Sequence, residues 1–111
     1  MGYFDEERLL TESESIVMKG VWDAKGDVTI PDLIALIEER YGRTYARTTV
    51  VTFLLKLSDK GFARTYRKGK FAYAYPLISK EEYRKILSRN LLKEWYNGDK
   101  DQLFSDLDTR K

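Results

Sequence analysis

Three apolar stripes of helical period, each followed by a glycine, give way at Phe62 to an alternation of period two, and this order dictates which elements the chain can form. Thr11-Glu12-Ser13-Glu14 reads as a capping box: the Thr11 hydroxyl accepts from the Glu14 backbone N–H, and the Glu14 carboxylate accepts from that of Thr11. Val17, Met18, Val21 and Trp22 follow at helical spacing, and Gly26 offers a left-handed end, so a first helix is expected over 11–25 with Trp22 as a core anchor. Thr29 and Pro31 start a second helix with the stripe Leu33, Ile34, Ile37 and Tyr41, closed by Gly42. A third, carrying Val50, Phe53, Leu54 and Leu57, is expected over 46–60 and stops at Gly61.

Beyond that glycine, Phe62, Arg64, Tyr66 and then Phe71, Tyr73, Tyr75 alternate with Ala63, Thr65, Ala72 and Ala74, the pattern of two strands. Gly69 supplies the positive φ of a tight hairpin, and Pro76 ends the second strand. On a two-stranded hairpin this alternation assigns the aromatic side chains to core packing rather than to base stacking. Ser79 to Glu82 forms another capping box, opening a long fourth helix with Tyr83, Ile86, Leu87, Leu91 and Trp95 that Gly98 ends. Leu103, Phe104 and Leu107 suggest one more short helical piece.

The 111 residues include no cysteine and no histidine, which removes disulfides, thiolate chemistry, Cys/His zinc sites and imidazole acid–base catalysis. No Gly-rich phosphate loop or metal-ligand cluster stands in their place, so neither catalysis nor a cofactor is expected. The first residues offer no apolar signal region, and no run approaches the roughly 18 apolar residues of a membrane span, which predicts a soluble, cytoplasmic protein.

A net charge of +2 conceals a segregation. Residues 1–42 carry four Lys/Arg against ten Asp/Glu, whereas 43–75 carry eight against one. Positive potential concentrated in this way suits a polyanion. Three helices followed by a basic hairpin is the order of a winged helix-turn-helix, whose second motif helix enters the DNA major groove. The fold expected is therefore mainly α with a small β-hairpin wing. On the third helix, Thr48, Thr49, Thr52, Lys56 and Lys60 fall opposite the apolar arc, and Arg47 stands at its start. Three threonines within five residues weaken a helix, so a requirement other than helicity placed them. Arg64, Arg67, Lys68 and Lys70 on the hairpin suit phosphate contact. A winged helix used as a protein-interaction module is the rival reading, and it gives no reason for charge to gather on this helix and hairpin.

Leu10-Thr-Glu-Ser-Glu-Ser-Ile-Val-Met18 with Val21-Trp22-Asp23, Thr49-Val-Val-Thr52, Leu57-Ser-Asp-Lys-Gly-Phe62 and Phe71-Ala-Tyr-Ala-Tyr75 resemble the penicillinase-repressor family, the BlaI/MecI/CopY group of winged-helix regulators. The resemblance implies a homodimeric repressor that binds a palindromic double-stranded DNA operator, with C-terminal helices supplying the dimer contact. It divides the chain into an N-terminal tail over 1–9, a DNA-binding domain over 10–76 and a helical dimerisation region over 77–111. In that last region Leu87, Leu91, Leu92, Trp95, Tyr96, Leu103 and Phe104 are more apolar surface than a lone helix can bury. Members released by a sensor protease carry an Asn-Phe bond where Asp106-Leu107 stands here, and the cysteine-rich tail of copper-responsive members is absent, so neither inducer nor sensor partner is implied.

Overall fold

The computed structural model describes residues 9–108, which leaves the tail expected over 1–9 outside the described residues except for Leu9. Two compact units divide the chain, Leu10–Lys80 and a second that takes in the residues from Glu81 onward. The first holds α1 (Glu12–Asp23), β1 (Val28–Thr29), α2 (Ile30–Tyr41), α3 (Arg47–Asp59), β2 (Ala63–Lys68) and β3 (Phe71–Pro76). At its boundary α4 (Lys80–Tyr96) begins, followed by α5 (Lys100–Leu107).

Local chemistry sets the helix ends. Thr11 Oγ1 accepts from the Glu14 N–H at 3.2 Å and Glu14 Oε1 accepts from the Thr11 N–H at 2.9 Å, which completes the capping box. Thr29 caps α2 by accepting from the Asp32 N–H at 3.2 Å, with Pro31 in the first turn. At the end of α3, Gly61 adopts a left-handed φ of 84°, its N–H donating to Ser58 O and that of Phe62 to Leu57 O, the paired bonds of a Schellman motif. The end of α1 differs from expectation: Lys25, with φ 59°, is the left-handed residue, and Gly26 at 156° leads on toward β1. Lys25 holds that turn because its N–H reaches back to Trp22 O at 3.3 Å, one residue earlier than a turn at Gly26 would close.

Val17, Met18 and Val21 of α1, Leu33 and Ile37 of α2, Val50, Leu54 and Leu57 of α3, and Phe62 are essentially without exposure and form the core. In α2, Ile30 joins them, while Ile34 and Tyr41 of the expected stripe are half-buried. The α1–α2 approach is close: a Cβ on Gly20 would lie 2.8 Å from Leu33 Cδ1 and 2.9 Å from Ile37 Cγ1. Trp22 is half-buried, and its indole Nε1 donates to Ile78 O at 2.8 Å, fastening the segment after β3 to α1.

The sheet has three strands in the order β1-β3-β2, all antiparallel. Its first strand escaped the sequence analysis because Val28 and Thr29, opposite Ala74 and Tyr73, are too short a run to show a period. The register sets Arg64 opposite Tyr75, Tyr66 opposite Tyr73 and Lys68 opposite Phe71, which gathers the aromatic residues on one face. That face is not the one packed on the core. Ala63 and Ala74, on the other, are fully buried, whereas Tyr66 and Phe71 are exposed and Tyr73 and Tyr75 are half-buried. The reason is space: α1 and α2 lie against β3 closely enough that the inner face takes alanine. The tyrosines instead pack on one another, Tyr66 stacked on Tyr73 with ring centroids 5.3 Å apart. Tyr66 Oη also donates to Asp27 Oδ2 at 2.6 Å, and this bond, with desolvation, pushes the phenol up to about 12.

In the second unit, Asp99 caps α5 through the Gln102 N–H, and Tyr96 Oη donates to Asp106 Oδ2 at 2.9 Å, joining α4 to α5. Leu87, Leu91 and Trp95 recur every fourth residue along α4 and are exposed, as are Phe104 and Leu107 of α5; Leu92, Tyr96 and Leu103 are half-buried.

Candidate nucleic-acid interface

Val50, Leu54 and Leu57 anchor α3 in the core and so determine what it turns outward. At about 100° per residue, Thr48, Thr52, Leu55 and Asp59 share an arc of about 60° opposite that anchor. All four are exposed. Thr49 is half-buried at the edge of the face, while Lys56 is exposed with its ammonium 5.9 Å from the Phe53 ring centroid. Thr52 Oγ1 donates to Thr48 O at 2.9 Å, so its proton is committed to the helix and the hydroxyl presents acceptor lone pairs outward.

The N-terminal end of α3 is electrostatically distinct. Thr11, Thr29 and Asp99 cap α1, α2 and α5 with side-chain hydrogen bonds, but Ala46 gives α3 none. Among the described helices α3 alone has no acidic residue in its first turn. The positive end of its dipole therefore has neither a capping side chain nor a first-turn carboxylate of its own, with exposed Arg47 beside it.

The hairpin turns at Gly69 and Lys70, where positive φ at the first position only (65° at Gly69) follows the II′ pattern. Arg64, Arg67, Lys68 and Lys70 are all exposed. Arg64 and Lys68 lie on the tyrosine face and Arg67 on the alanine face, so the hairpin carries charge on both sides.

Two cations of the basic segment are already engaged. Lys60, which the helical wheel grouped with the outward residues, instead sends Nζ to Glu14 Oε1 at 2.7 Å, because the helix ends there and its long stem folds back toward α1. Arg43 pairs with Glu12 at 3.0 Å and also donates to Tyr45 Oη at 3.4 Å. Arg47, Lys56, Arg64, Arg67, Lys68 and Lys70 form no ion pair with any described residue. Glu12 and Glu14 of the acidic flank thus neutralise Arg43 and Lys60, while the cations on the exposed helix and hairpin have no ion-pair partner among the described residues. Leu55, exposed on the outward face, was missing from the sequence-derived set; its spacing of three from Thr52 and seven from Thr48 was the available signal.

The sequence matches the family model described as penicillinase repressor over residues 10–111. The chain belongs to the penicillinase repressor family. It is accordingly a DNA-binding regulator of transcription, with a mainly helical winged-helix fold. Solved structures share that fold: RosR of H. salinarum is 16% identical with a TM-score of 0.57, the match covering 92% of this chain and 93% of that one. A protein described as a possible transcriptional regulator from Methanosarcina mazei Go1 is 18% identical with a TM-score of 0.53, covering 89% and 81% respectively. No curated protein matches the chain in sequence. Among the described residues no cluster of His, Cys, Asp or Glu is placed to hold a metal ion, and no helix is long and apolar enough to cross a membrane.

Proposed function

We propose that this member of the penicillinase repressor family acts as a homodimer on a palindromic operator, with α3 in the major groove and the β2–β3 hairpin against the phosphate backbone. The observation that carries the reading is the set of cations with no ion pair among the described residues, which coincides with the exposed polar face of α3 and the hairpin. In this reading Thr48, Thr49 and Thr52 meet base edges, Arg47 and Lys56 meet bases or flanking phosphates, and Arg64, Arg67, Lys68 and Lys70 meet phosphates. Two recognition helices about 34 Å apart would occupy successive major grooves, which makes the dimer the unit of selectivity. Leu87, Leu91, Leu92, Trp95, Tyr96, Leu103 and Phe104 supply its contact, residues 10–76 the DNA-binding part and 77–111 the dimerisation region.

Fluorescence-anisotropy titration against a palindrome from the protein's own promoter and a random duplex, at several salt concentrations, tests this. Tighter palindrome binding with a steep salt slope is expected; binding indifferent to salt would overturn it. Thr52→Ala should reduce the preference for the palindrome by about 1–3 kcal/mol. An unchanged ratio of specific to random affinity would remove Thr52 from the readout.

A further inference from the structure

We propose that Leu55 reads thymine C5-methyl groups in the operator, an inference that rests on the placement of α3 in the major groove. Leu55 is 60% exposed, while the other leucines of the helix, Leu54 and Leu57, are at most 1% exposed. Its side chain therefore contributes little to the core, and the fold itself does not call for leucine there. It shares the outward arc with Thr48, Thr52 and Asp59, all exposed and all polar, while half-buried Val51 lies one turn before it at the margin of that arc. A single exposed apolar group amid hydrogen-bonding ones gains from an apolar partner when the face is desolvated, and loses nothing by the absence of a polar one.

The major groove offers one apolar feature on its base edges, the thymine methyl. Arg47 and Lys56 on the same helix, with no ion pair among the described residues, match a polyanion rather than an apolar protein surface. The neighbouring Thr52 hydroxyl, its proton given to Thr48 O, can accept from adenine N6 or cytosine N4. Adjacent positions of one half-site would thus be read in different ways, an amino group by acceptance at Thr52 and a methyl by contact at Leu55.

The test begins with duplexes selected from a random-sequence pool by the full-length protein. In the tightest of these each thymine is replaced in turn by deoxyuridine, which lacks only the C5-methyl. The parent protein should lose affinity at one or two positions in each half-site, by about fourfold for each methyl left unburied. Leu55→Ala, whose thermal melt should match the parent because the side chain is exposed, should bind the unmodified duplex more weakly and be indifferent to deoxyuridine at those positions. If every deoxyuridine duplex binds the parent as the unmodified one does, or if Leu55→Ala feels the replacements as strongly as the parent, the assignment of Leu55 is overturned while recognition by α3 stands. If selection enriches no sequence over random duplex, the underlying reading fails, and the inference with it.

Discussion

Glu14 is the buried carboxylate among the described residues, and its environment shows how α3 is held. Burial alone would raise its pKa, but the hydrogen bond from Lys60, the Thr11 backbone N–H and the nearby ammonium charge outweigh it and hold the carboxyl below its ordinary value of 4.5. A carboxylate whose folded value is depressed stabilises the fold fully above its unfolded value and loses that contribution as the pH falls through the folded one. The Glu14–Lys60 pair should therefore support the native state at neutral pH and fail below about pH 4.5. Replacing Glu14 by Gln should cost about 1–3 kcal/mol at pH 7, since Lys60 loses a charged partner and the capping box its acceptor charge. Urea denaturation at a series of pH values would check this: the gap between parent and variant should narrow toward pH 3. A gap of constant size would mean that packing, and not the ionised pair, sets the cost.

Elements show what could be read in advance and what could not. Helix starts at Thr11 and Thr29 and the stop at Gly61 were legible because each depends on side-chain or φ chemistry confined to a few consecutive residues. The inward face of the hairpin was not, since period two says that Tyr73 and Ala74 point opposite ways but not which one meets the helices; that depends on how closely α1 and α2 approach β3. Lys60 departs from its helical-wheel direction for a related reason, because the wheel describes angle and ignores the reach of a lysine stem at a helix end. The tight α1–α2 contact at Gly20 was equally hidden and gives a sharp expectation. Gly20→Ala should destabilise, since overpacking of about 1–3 kcal/mol outweighs the ~1 kcal/mol gained in helix propensity. A thermal melt at or above that of the parent would show that Leu33 and Ile37 can move aside. On the hairpin, Lys68→Ala should lower affinity for all sequences alike and reduce the salt slope by about 1 for each wing bound. An unaltered slope would place the Lys68 ammonium away from phosphate.

At the scale of the whole molecule, what remains to be explained is the apolar surface of the second unit. Leu87, Leu91 and Trp95 form an exposed stripe along α4, and Trp95 is 78% exposed among the described residues. A stripe of this kind left in water works against solubility, whereas pairing two copies removes it from solvent on both. Tyr96, by contrast, already spends its hydroxyl on Asp106 and is half-buried, so its part in a dimer would be to set the α4–α5 geometry. Trp95 is then the side chain with most to gain from a partner, and large aromatic anchors of this sort dominate interface energetics. Trp95→Ala should weaken self-association by about 2 kcal/mol or more, shifting sedimentation toward monomer at micromolar concentration. Because association stabilises only the folded form, the parent's melting temperature should rise with protein concentration and the variant's should not. Affinity for a palindrome should fall with the dimer, while binding of a half-site, which needs only one α3 and one hairpin, should be unchanged. If Trp95→Ala remains dimeric and binds the palindrome as the parent does, the exposed stripe on α4 serves some contact other than the one that pairs the recognition helices.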